Sequence, residues 1–134
     1  MDDLLATLPA RFASVGYDGA QIPDGQHDLS RGANCQRYAY AVLAHFGISL
    51  PPWRSSELWS DRELTVLVAA FEPLDLLLFH RTSEPFGAHV GVYAAAGQAL
   101  HLCKSVGSPA LWSLAEFVGR EEYCVLIGGK RALR

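Results

Sequence analysis

Four short apolar segments occupy the second half of the chain: LDLLLFH (74–80), AHVGVY (88–93), QALHLC (98–103) and YCVLIGG (123–129). Nothing else in the sequence restricts the fold as much. Apolar runs this short, bounded by turn residues, read as strands. The tight AAAG connection makes the middle pair antiparallel. The first half has helical spacing instead. Leu4, Leu5, Leu8 and Phe12 fall along one side of a helix over 3–14. Tyr38, Val42 and Phe46, four apart, share a face widened by Leu43 over 35–46. Asn34 suits the N-cap of that second helix and Gly47 its stop. SLPPWRSSELWSDREL breaks at two prolines and then starts another short helix, with Ser55 or Ser56 as cap; SLAEFVGR (113–120) is a helix before the last strand. Helices first and antiparallel strands later predict an α+β fold, with N-terminal helices packed on a central antiparallel β-sheet.

The 134 residues suffice for one core and predict a single domain over 1–134. A net charge of −3 with no Lys/Arg cluster argues against nucleic acid or an anionic membrane as partner. The longest apolar runs, VLVAAF and LDLLLF, fall far short of the roughly 20 residues that span a bilayer. MDDLLATLPARFASVG is acidic where a secretory leader is basic, and Pro9 and Arg11 break its apolar part, so the expected location is cytoplasmic. Three cysteines, Cys35, Cys103 and Cys124, with no short paired spacing predict reduced thiols and no disulfide scaffold. Nothing in the pattern calls for a cofactor or a metal, and the oligomeric state is left open.

Cys35 directly follows the capping Asn34, after a Gly-, Asp- and Pro-rich loop (16–34) long enough to suggest function. A helix start carries about half a positive charge and favours a thiolate. A nucleophilic cysteine also needs a base, held in place by a third polar group. His89 and His101 fit these roles by parity. A three-residue loop over 94–96 would pair His89 with His101 across a hairpin, on one sheet face. A two-residue loop would turn His101 to the other face. Gly97, free to take positive φ, suits the odd loop or a bulge.

In this order, a cysteine opening a helix, then HVGVY, then a second histidine twelve residues on, the chain resembles the NlpC-like cell-wall cysteine peptidases, a branch of the papain-like superfamily. GISLPPWRSSELW is similar to the family's "GI.LP" segment with its Ser-rich follow-up. PLDLLLF is similar to its "GDLVFF" strand, and HVGVYAAAGQALH to "HVGIYLGNGKMIH". The resemblance spans residues 28–104. It implies a papain-like NlpC-type domain with Cys35 as nucleophile, His89 as general base and His101 as the orienting residue. It also implies amide cleavage in a small peptide, such as a peptidoglycan stem or a fragment of one. The family shows DCSG where this chain has NCQR, so Gln36 and Arg37 stand in place of Ser-Gly.

Two other readings compete with this one. Cys35, His89, His101 and Cys103 form a possible zinc set, although HLC lacks the tight ligand spacing of structural zinc sites. A non-catalytic binding domain of the same fold is the other, and the intact Cys, His, His order argues against it. Tyr17, Asn34, Gln36, Arg54 and Ser55 are the candidates for contact with substrate. His27, His45 and His80 are expected on the surface or at element ends.

Overall fold

The computed structural model describes residues 3–134. Pro9 divides the expected first helix: α1 spans Leu4–Thr7 and a 3₁₀ turn spans Ala10–Ala13. The apolar side was read correctly all the same, since Leu4, Leu8 and Phe12 are buried. The long loop then leads to α2, Cys35–His45. Asn34 caps α2 as expected, its Oδ1 accepting the Arg37 N–H at 2.8 Å. Helix α3 is Ser55–Ser60, one residue ahead of the expected cap. Arg54 takes the N-cap position, and its backbone N–H donates to the Glu57 carboxylate at 3.0 Å.

Six strands form one antiparallel sheet: β1 (Thr65–Val68), β2 (Leu76–His80), β3 (His89–Ala95), β4 (Gln98–His101), β5 (Ala110–Ser113) and β6 (Val125–Ala132). Their order across the sheet is β1-β6-β2-β3-β4-β5. A fourth helix, α4, spans Leu114–Val118. Helix α2 lies over β3 and β4, so the expected packing of helix on antiparallel sheet is what the chain adopts. Two strands escaped the sequence reading. β1 and β5 are edge strands of four residues, too short for an alternating pattern to register.

The centre of the sheet is buried on both faces. Leu76 and Leu78 join the larger core with Tyr38, Val42, Val90 and Leu100. Leu77 and Phe79 join a second cluster with Cys103, Trp112 and Phe117. This explains why β2 reads as a continuous apolar run and not as an alternation.

The β3–β4 hairpin corrects the expected register. Ala95 pairs with Gln98, leaving Ala96 and Gly97, both at positive φ, as a two-residue turn. A bulge between Tyr93 and Ala95 then sets Tyr93 against Ala99 and Val92 against Leu100. The register is therefore two residues away from the expected one, and His89 is diagonal to His101 instead of opposite. A two-residue shift preserves the face. The bulge thus rescues the shared face that an unbulged two-residue turn would have lost.

Candidate active site

Five segments converge on an open cleft of about 250 Å³ bordered by Tyr17, Asn34, Cys35, Gln36, Arg54, His89 and Tyr123. Its size does not single it out. A hollow of about 500 Å³ by Glu72, Pro73 and Arg131 is wider and contains no nucleophile. The chemistry of the lining does.

Cys35 is the first residue of α2 and is partly exposed. His89 is the first residue of β3. Its Nε2 lies 2.9 Å from Nδ1 of His101, and both rings are buried. With Nε2 engaged, Nδ1 is the other ring nitrogen of His89, and Cys35 borders the same cleft. Tyr123 stacks on the His89 ring, with centroids 4.6 Å apart and planes at 26°.

The thiolate expected from the helix start is not the dominant tendency. Burial pushes the Cys35 thiol up to about 11. The Val90 and Gln36 backbone N–H groups and the Arg54 guanidinium pull the other way and are outweighed. Burial also pushes the His89 imidazole down to about 3. It lowers His101 too, helped by the neighbouring His89 and Arg120. These displacements favour a neutral thiol beside a neutral imidazole.

The same burial has a consequence for stability. Both histidines sit below the ordinary value of 6.5, so the unfolded chain takes up protons first as pH falls. Their contribution is complete above about pH 7 and declines below 6.5, by up to roughly 1.4 kcal/mol per pH unit for each histidine. Urea unfolding should show a lower midpoint at pH 5.5 than at 7.5, and His89→Gln/His101→Gln should flatten that difference. An unchanged midpoint in the wild type would mean the pair is not held neutral.

The other candidate residues divide between cleft and frame. Tyr17 reaches the cleft through a bridge to Ala33 and a backbone bond from its N–H to the Gly107 carbonyl. Gln36 is only 4% exposed, and its Oε1 accepts the Arg54 Nε–H at 2.9 Å. Ser55 does not line the cleft. It is buried, its hydroxyl donating to the Pro85 carbonyl at 2.7 Å and accepting the Ala88 N–H at 3.2 Å. It thereby holds the turn that delivers His89. Arg37 is likewise buried and turned into the loop. His27 and His45 are exposed, and His80 bonds the Glu84 carbonyl.

Among the described residues, no group of three or more His, Cys, Asp or Glu is placed to hold a metal ion. His89 and His101 turn their nitrogens toward each other, not toward a shared centre, which removes the zinc assignment. No helix of the described residues is long and apolar enough to cross a membrane. The sequence reading missed Tyr123, whose only signal was an aromatic at the junction of a turn and a strand. It also left Phe117, on α4, without a role.

No family model and no curated protein matches the sequence. Solved structures do. An NlpC/P60 family protein from Bacillus cereus superposes with a TM-score of 0.70 at 22% identity, over 99% of this chain and 40% of that one. The NlpC/p60 domain of the peptidoglycan hydrolase SagA gives 0.59 at 19% identity, over 92% and 91% of the two chains. This is the NlpC/p60 fold. A lipoprotein-like protein of the NLP/P60 family from Staphylococcus aureus also has it, with a TM-score of 0.62 at 20% identity over 100% of this chain. This chain spans two fifths of the length of the Bacillus and Staphylococcus proteins. The NlpC/p60 fold anticipated from the order of cysteine, HVGVY and histidine is therefore the one the chain adopts.

Proposed function

We propose that the chain is a cysteine amidase of the NlpC/p60 type, hydrolysing an amide bond in a peptidoglycan stem peptide or a fragment of one. The observation that carries this reading is the cleft shared by Cys35 and His89, with His89 Nε2 held 2.9 Å from His101 Nδ1. Nucleophile, base and orienting residue are the parts an acyl transfer needs. His89 Nδ1 takes the Cys35 proton as the sulfur attacks the carbonyl carbon. The Cys35 backbone N–H, at the helix start, faces the developing oxyanion. His89 returns the proton to the departing amine, leaving a thioester. Water then attacks with His89 again as base, releasing the acid and restoring the thiol.

Arg54 is the one charged side chain on the cleft among the described residues. With its Nε held by Gln36, its terminal N–H groups are left for a substrate carboxylate. Stem peptides supply such a group on the acyl residue. The test incubates the protein with muropeptides and follows products by mass, alongside the same peptides with that carboxylate amidated. Cleavage of the free acid is expected, with KM roughly 10-fold higher for the amide, as loss of one charge-assisted hydrogen bond implies. Absence of cleavage from every muropeptide would overturn the substrate class. Equal KM for acid and amide would remove Arg54 from recognition.

A further inference from the structure

Among the described residues, Nε2 of His101 is the one buried side-chain nitrogen or oxygen without a hydrogen-bond partner. His101 is only 1% exposed. A neutral imidazole carries one N–H, and Nδ1 of this ring is engaged with His89, so two tautomers are available. The surroundings discriminate between them. The Trp112 ring centroid lies 4.1 Å from that of His101, with the planes at 62°, an edge-to-face contact. Phe117 follows at 4.5 Å and 59°.

An aromatic face is negative. A bare Nε2 lone pair against such faces is repelled, whereas an N–H is attracted. The lone-pair tautomer would also oblige His101 to donate from Nδ1. That would place the His89 proton on its own Nδ1 and leave it no acceptor for Cys35. The Nε2–H tautomer removes both difficulties. Trp112 is the nearer and more electron-rich face, and Phe117 is already stacked on Phe79 at 4.1 Å. The Arg120 guanidinium lies over Trp112, 4.1 Å from the ring centroid, and its charge opposes a second cation at His101.

We propose that Trp112 is a positioning residue for the histidine pair: its indole face receives the buried Nε2–H of His101. This leaves His101 Nδ1 to accept from His89 Nε2–H and turns the His89 Nδ1 lone pair toward Cys35. Trp112 acts through His101 and touches no reacting atom. The kinetic consequence rests on the proposed hydrolase reading; the tautomers do not, because they are read without substrate.

Isotope-edited NMR of the imidazole nitrogens in the whole protein tests the assignment. In the wild type, His101 should be protonated at Nε2, with its proton shifted upfield by the indole ring current, and His89 should also be protonated at Nε2. Trp112→Phe should retain both signals. Trp112→Leu should lose the upfield shift and mix the tautomers, with kcat down by about 10-fold at unchanged KM, short of the roughly 10²–10⁴ that a general base supplies. Protonation of wild-type His101 at Nδ1, or an unshifted Nε2–H, would overturn the proposal, whether or not the leucine variant folds. An unaltered upfield signal in a folded Trp112→Leu would overturn it as well.

Discussion

Cys35→Ala should leave no hydrolysis above background, and His89→Gln should lower kcat by roughly 10²- to 10⁴-fold, the usual contribution of a positioned base. Alanine removes the sulfur on which the proposed thioester forms. Glutamine is closer to isosteric and can still donate to His101 Nδ1, so the fold around the pair is retained while the proton acceptor facing Cys35 is lost. With the Cys35 thiol pushed up to about 11 by burial, the sulfur depends on that acceptor more than a solvent-exposed thiol would. The two changes should not add. Once the sulfur is absent the base has no proton to take, so Cys35→Ala/His89→Gln should match Cys35→Ala alone. His101→Gln should be milder, because a glutamine oxygen can accept from His89 Nε2–H. Release of the amine, followed at saturating and limiting substrate, gives kcat and KM separately; thermal unfolding checks that each variant is folded. Wild-type turnover by Cys35→Ala would take the sulfur out of the mechanism. An undiminished kcat in His89→Gln would move the base elsewhere.

Why the sequence could place Cys35 at a helix start and His89 and His101 on one sheet face comes down to local rules. Asn34 and Gly47 mark the helix that Cys35 opens, and capping is decided within a few residues. The face shared by the two histidines depends only on parity, and parity survived even though the register did not. The hairpin has a two-residue turn, and the bulge beyond Tyr93 compensates. No local rule announces a bulge of that kind. Ser55 was misplaced for a related reason. A serine after a proline bend is a plausible cap or groove residue, but its hydroxyl is spent on Pro85 and Ala88, about thirty positions away in the chain. Trp112 comes to the histidines because β5 pairs with β4, and Tyr123 because the chain after β5, through α4 and the following 3₁₀ turn, Glu121–Tyr123, returns to His89. Contacts of that range are set by packing. The electrostatics of Cys35 show the same limit: the helix start was legible and pulls the thiol down, but the burial that outweighs it is tertiary.

Arg37→Met should destabilise the protein by about 3 kcal/mol and lower its melting temperature by on the order of 10 °C, while raising KM more than it lowers kcat. Arg37 lies inside α2 beside the cysteine, where a small residue would be expected, and only 7% of its side chain is exposed. Its Nε donates to the Asp28 carbonyl at 2.9 Å and its Nη1 to the Ile22 carbonyl at 2.9 Å. The same Nη1 pairs with the half-exposed Asp24 carboxylate at 3.1 Å. One guanidinium thus fastens three points of the long loop to α2. Methionine keeps the apolar stem but leaves two carbonyls without their charged donor, which carries most of the cost, while the half-exposed Asp24 carboxylate simply returns to water. The kinetic effect follows from what that loop carries. Gly32, at a φ of +86°, packs where an added Cβ would stand 2.7 Å from the Gly16 carbonyl oxygen. The next residue, Ala33, bridges Tyr17, which borders the cleft beside Cys35. A loosened loop would unseat Tyr17 and leave the Cys35–His89 geometry on α2 and β3 in place, so binding suffers before chemistry. Arg37→Lys should fall between, since an ammonium can pair with Asp24 but cannot span both carbonyls in a fixed fork. A methionine variant that melts with the wild type would show that the loop is held by its own turns. One whose kcat collapses at unchanged KM would show that the loop positions the nucleophile rather than the substrate.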